Sequence, residues 1–117
     1  MSNLTVLVGD DRYQAAKSLT DVDLVYVNPE IDVRHDGWEK WLAALPSDRN
    51  VVIITNSVLL LNFLDDDVAV KSVWFCHEGK KSRVFDTPAM REKLTVMGPG
   101  EAFCDTTYDG MVEDMKP

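Results

Sequence analysis

Short apolar runs rich in β-branched residues recur along this chain, and most are followed by a stretch with helical spacing. Leu4-Thr-Val-Leu-Val8 ends at Gly9 and reads as a buried strand. Asp10 or Asp11 then caps a helix over Arg12 to Leu19, with Ala15, Ala16 and Leu19 on one side. Val22 to Val27 is continuous enough to be a strand buried on both faces, and Asn28-Pro29 breaks it. Asp36-Gly-Trp-Glu39 has the form of a capping box. The helix it opens carries Trp38, Trp41, Leu42 and Leu45 on a single face, as core residues, and Pro46 ends it. Asn50 to Thr55 is the clearest strand, and Asn56 or Ser57 caps a helix over Val58 to Leu64 that Asp65-Asp66-Asp67 closes. Val68 to His77 reads as a fourth strand. Glu78-Gly79-Lys80 turns the chain into an antiparallel edge strand, Lys81 to Phe85. Thr87-Pro88 opens a last helix to about Thr95, which Gly98-Pro99-Gly100 stops.

The order β-α-β-α-β-α-β-β-α predicts an α/β fold of three layers, a mostly parallel sheet flanked by helices, with a C-terminal antiparallel hairpin strand. Right-handed crossovers leave only a few doubly wound topologies. A length of 117 residues, with 45% hydrophobic and 27% charged, suits one α/β domain over residues 1–104 and an acidic, flexible tail over 105–117. The N-terminal residues carry no basic region followed by a long apolar run, and no segment reaches the ~20 apolar residues that span a bilayer. The expected location is cytoplasmic, with no membrane partner. Two cysteines make no disulfide framework; Cys76 is expected to be buried and reduced. Cys76, His77 and His35 lack metal-site spacing, so no metal is expected.

Charge is unevenly spread around a net value of −8. Residues 1–70 carry 12 acids against 5 bases, residues 71–93 carry 3 against 6, and the remainder carries 5 against 1. Most of such a surface repels nucleic acid, so no direct nucleic-acid binding is expected. The basic residues Lys80, Lys81, Arg83 and Arg91 are candidates for docking an acidic partner, although solvated faces of a hairpin and a helix are the simpler explanation. Asp21, Asp23, Glu30, Asp32 and Asp36 are expected near the C-terminal edge of the sheet, where they repel phosphate and suit a cation or a basic partner. The Asp65–Asp67 triplet reads as helix-end solvation. No Ser-His-Asp or Cys-His-Asn set is recognisable, with Ser57 and His77 unrelated in place.

Three segments, in order, resemble parts of the ABC/OLD-type P-loop ATPases. Leu4-Thr-Val-Leu-Val-Gly9 followed by Lys17-Ser18 resembles the strand, glycine and Lys-Ser/Thr of a phosphate-binding loop. The second glycine is missing and two residues too many separate Gly9 from Lys17. Leu24-Val-Tyr-Val-Asn-Pro-Glu30 is similar to the strand ending in Asp-Glu-Pro-Glu, which puts Val27 on the metal-supporting Asp and Asn28 on the catalytic Glu. Only Glu30 keeps its type, and it is not the catalytic position. Val51-Val-Ile-Ile-Thr-Asn-Ser57 looks like the strand ending in Thr-His-Ser, with Asn56 at the switch histidine; an amide cannot titrate. Met97-Gly-Pro-Gly-Glu-Ala-Phe103 resembles the C-terminal stretch of these proteins. The signature motif and helical region between the first two segments are absent.

The resemblance implies a P-loop-NTPase-like sheet of strand order 4-1-3-2. An unrelated flavodoxin-like fold would instead put the first strand between the second and third. It also implies degenerate equivalents of a nucleotide site at Gly9, Lys17, Ser18, Val27, Asn28, Glu30 and Asn56, with no cofactor bound and no catalysis. The function expected is a non-catalytic protein-binding module, a phage-type inhibitor or regulator of a host ATPase or nuclease. The candidate partner residues are Lys80, Lys81, Arg83, Arg91, Asp21, Asp23, Asp32 and Asp36. Two alternatives stand beside it: a nucleotide- or small-ligand-binding enzyme with altered site residues, and an acidic DNA-mimic inhibitor.

Overall fold

The computed structural model describes residues 3–34, 36–106 and 110. Its elements are β1 (Asn3–Val8), α1 (Arg12–Lys17), β2 (Leu24–Val27), α2 (Trp38–Ala43), β3 (Asn50–Ile54), α3 (Val58–Asn62), α4 (Asp66–Ser72), β4 (Val73–His77), β5 (Lys80–Arg83), α5 (Pro88–Leu94) and α6 (Pro99–Asp105), with 3-10 turns at Pro29–Ile31 and Val84–Asp86. They build an α/β fold on a five-stranded mixed sheet of order β2-β3-β1-β4-β5. β1, β2, β3 and β4 are parallel and β5 returns antiparallel beside β4. β3 therefore lies between β1 and β2, with β4 on the far side of β1, and the arrangement with β1 between β2 and β3 is not the one formed. No helix among the described residues is long and apolar enough to cross a membrane.

Strand alternation sorts the core into two layers. Val6 and Val8 of β1, Val51 and Ile53 of β3, and Val73 and Phe75 of β4 face Trp38, Leu60, Leu61, Ala69, Met90 and Ala102 from the five later helices. Leu7, Val52, Ile54 and Cys76 face the other way, toward Ala15, Ala16 and Leu19. The crossover from β1 to β2 runs in the opposite direction along the sheet from those leading to β3 and β4. Right-handedness then sends α1 to one face and the later helices to the other. Coverage is unequal, with one six-residue helix against five.

That inequality corrects one expectation. β2 is not buried on both faces: Leu24 and Tyr26 pack against the thick layer, whereas Val25 and Val27 are exposed on the α1 side. Three local expectations also change. Asp11 occupies the N-cap of α1 without a side-chain capping bond, because its carboxylate accepts the Gly79 amide at 2.7 Å instead. There is no capping box at Asp36: α2 is entered through a turn from Arg34 O to Gly37 N, leaving Gly37 at the N-cap. Asp65–Asp67 opens a helix rather than closing one. Asp65 is extended at the N-cap of α4, and Asp66 and Asp67 lie in the first turn, where carboxylates favour the helix dipole.

Val68, Ala69 and Val70 consequently belong to α4, whose buried residues Ala69 and Ser72 are spaced i, i+3, and β4 begins only at Val73. Likewise Gly98-Pro99-Gly100 starts α6, with Gly98 extended at the N-cap and Pro99 in the first helical position. β5 ends at Arg83; Val84 and Phe85 leave the strand to be buried in a 3-10 turn. The Thr87 cap forms as read, its hydroxyl accepting from the Met90 amide. Of the tail, Asp105 closes α6 and reaches Lys93 at 3.2 Å; residues 107–109 and 111–117 lie outside the described residues, as does His35.

Candidate functional site

β1 and β3 are neighbours whose following helices go to opposite faces, so the crevice beyond their C-terminal ends is the switch point where open α/β sheets bind ligands. Gly9 ends β1 there with φ +101°, and a Cβ at this position would meet Cys76 O at 2.4 Å. Only glycine can bring the backbone this close to β4. Asn56, just beyond β3, accepts the Gly9 amide on its Oδ1 at 2.9 Å. Arg12, in the first turn of α1, donates from Nη1 to Gly9 O at 2.7 Å and lies over the Tyr13 ring. The Asp11 amide donates to Cys76 O at 3.1 Å, and His77 Nδ1 lies 3.1 Å from Asp10 Oδ1, so the loop after β1 is fastened to the β4–β5 hairpin.

Beside this loop opens a cavity of about 370 Å³ lined by Gly9, Asp10, Arg12, Asn56, Phe75, Phe103 and Thr106. Its apolar walls come from β4 and α6. Among the described residues, Arg12 Nε is the one buried side-chain nitrogen without a hydrogen-bond partner. A buried donor of this kind favours an acceptor supplied from outside the chain.

The positions singled out by sequence are distributed unevenly about this crevice. Gly9 and Asn56 meet directly. Glu30 lies one strand over, where its Oε2 accepts the hydroxyl of the fully buried Thr55 at 2.8 Å, and Thr55 Oγ1 in turn accepts the Ser57 amide at 3.0 Å. Asn28 is left-handed, with φ +48°, and donates from Nδ2 to the Tyr13 hydroxyl at 2.9 Å. Val27 points its side chain into solvent. Lys17 and Ser18 are not at the crevice: Lys17 is the last residue of α1 and Ser18 its C-cap, about 9 Å of helix from the end that adjoins Gly9. Ser18 Oγ donates back to Ala15 O.

The acidic set expected at one edge is divided. Asp21 and Asp23 precede β2, where Asp21 O and Asp23 Oδ2 both accept from Asn50, while Glu30 and Asp32 follow β2, and Asp36 stands exposed before α2. The basic set lies at the opposite edge of the sheet. Lys80, Lys81 and Arg83 are on β5, with Lys81 and Arg83 both over the Trp74 ring, and Arg91 of α5 pairs with Asp86. Cys76 and His77 are consecutive in β4 and so face opposite sides of the sheet, which prevents them from converging on one ion. Burial pushes the Cys76 thiol up to about 11, only partly offset by Lys81.

Sequence reading missed Arg12, Phe75, Phe103 and Thr106 as parts of this lining. Arg12 carried a usable signal, since a cation three residues past a strand-ending glycine falls on the first turn of the next helix. Phe103 carried none, because the cavity is completed by chain folded back from nearly a hundred residues downstream. No known protein family, curated protein or solved structure matches this chain.

Proposed function

We propose that the chain is a non-catalytic protein-binding module derived from an ABC/OLD-type ATPase core, an inhibitor or regulator of a partner such as an ATPase or nuclease. One observation carries this reading: apart from Arg12 Nε, the polar side chains named about the switch point are bonded within the chain. Asn56 holds the Gly9 amide, Glu30 holds Thr55, Asn28 holds Tyr13, and Asp11 holds Gly79. A phosphate-binding loop needs free amides wrapped around the ligand, with Lys and Ser/Thr beside them. Here Lys17 and Ser18 stand at the wrong end of α1, and the loop after β1 carries two carboxylates, Asp10 and Asp11, a charge that opposes phosphate. The four parallel strands, read from the other edge as β4-β1-β3-β2, are the feature in favour of kinship with that ATPase core.

A second reading, small-ligand binding with altered residues, draws on the cavity beside Arg12 and its unpaired Nε. DNA mimicry draws no comparable support, because the exposed Val25 and Val27 separate the acidic residues before β2 from those after it. Phosphate release from Mg-ATP separates the first two readings. The purified chain is expected to release no more phosphate than buffer; turnover that Arg12→Ala abolishes would establish the second reading in place of the first.

A further inference from the structure

The two edges of the sheet are treated in opposite ways. β5 carries Lys80, Lys81 and Arg83, the kind of charge that keeps an edge strand from pairing with another chain. β2, Leu-Val-Tyr-Val, is the other edge and has no charge, proline or bulge along its length. Its register against β3 puts Val25 and Val27 on the α1 face, but α1 packs over β1, β3 and β4. Val25 is 50% and Val27 52% exposed; Tyr13 (42%), tied to Asn28, adjoins the end of the strand, and Ile31 (79%) is exposed in the turn after it. An edge without a strand partner among the described residues, flanked by bare apolar side chains, has the requirements for strand addition: main-chain groups for affinity and alternate side chains for selectivity.

The charges around β2 say what fits. Asp21 and Asp23 stand before it, Glu30 and Asp32 after it, and no Lys or Arg lies between Lys17 and Arg34. We propose that β2 receives an extended, basic segment of a partner protein as an added strand. Apolar residues of that segment would cover Val25 and Val27 while Lys or Arg residues meet the exposed Asp21 and Asp32 at the two ends, Asp23 and Glu30 being bonded to Asn50 and Thr55. This names the partner class for the protein-binding reading above and rests on it. A second copy joined β2 to β2 would set carboxylates against carboxylates, which is unfavourable. β5 of a second copy has the right sign, but Lys81 and Arg83 already lie over Trp74.

The test uses the full chain and two labelled peptides, alternating Val-Lys and alternating Val-Glu, followed by fluorescence anisotropy. The Val-Lys peptide is expected to bind, at least tenfold more tightly than the Val-Glu peptide. Its affinity should fall about tenfold between 50 and 500 mM salt, as exposed charges are screened. The paired change Val25→Ser with Val27→Ser, at exposed positions, should weaken it about tenfold without lowering the melting temperature. Asp21→Asn with Asp32→Asn should weaken it and flatten the salt dependence. Equal binding of both peptides, or no Val-Lys binding at millimolar concentration in low salt, overturns the proposal. So does self-association that Lys81→Glu abolishes, which would assign the edge to β5 of another copy. Phosphate release from Mg-ATP is read on the same sample. Turnover with intact peptide binding sinks the non-catalytic reading alone, and absence of both sinks the edge proposal alone.

Discussion

Gly9 and Gly79 both adopt left-handed backbone, but their surroundings differ, and the difference is measurable. A Cβ on Gly79 meets nothing within 4 Å, so Gly79→Ala should cost only the ~1–2 kcal/mol of left-handed strain. A Cβ on Gly9 meets a β4 carbonyl that cannot move without disturbing the strand, so Gly9→Ala should cost roughly 3 kcal/mol or more by chemical denaturation. Thr55→Val leaves the Ser57 amide and the Glu30 carboxylate without their shared hydroxyl, an expected loss of about 1–3 kcal/mol. The two cysteines should also separate. Cys104 is exposed and reacts with a thiol-titrating reagent at neutral pH, whereas Cys76 reacts only on unfolding. The folded Cys76 thiol ionises at about 11 against an ordinary 9.0. Between those values the unfolded state has lost a proton that the folded state keeps, so stability should fall as pH rises from about 9 to about 11. Denaturation midpoints across that range, compared with Cys76→Ala, check the sign.

At the scale of elements, the strands that were legible are those buried on both faces. Val51, Val52, Ile53 and Ile54 are all buried, and so are Val6, Leu7 and Val8, so an unbroken apolar run and its burial coincide. β2 has the same kind of sequence and a different fate, because what covers a strand depends on the reach of a helix elsewhere. Val68-Ala-Val70 misled for a related reason: three apolar residues fit a strand or a helix, and Asp65 in extended conformation settles it as a helix start. Caps were legible where the bond is local, as at Thr87, and illegible where a carboxylate bonds across the chain, as Asp11 does to Gly79. Gly9 and Asn56 could be singled out from sequence at the crevice, whereas the aromatic wall of Phe75 and Phe103 exists only once β4 and α6 are assembled. α2 gives the sharpest test of this layer. Trp38 is buried and stands edge-on to Trp41, which is edge-on to Tyr26 of β2. Trp38→Ala should therefore cost about 3–5 kcal/mol, measured by thermal or chemical unfolding.

Across the whole molecule, charge and apolar exposure divide along the sheet, with an acidic, bare edge at β2 and a basic, guarded edge at β5. Between them the switch point is bridged by Asn56 and Gly9. Lys17 ends α1 on the side away from that bridge. A nucleotide that bound there at 100 times its Kd would add ~2.7 kcal/mol of stability. The melting temperature of the purified chain, taken with and without millimolar Mg-ATP, is thus the most direct probe of the proposed absence of nucleotide binding. An unchanged melting temperature is the expected result; a rise of several degrees that Lys17→Ala or Asn56→Ala removes would contradict it.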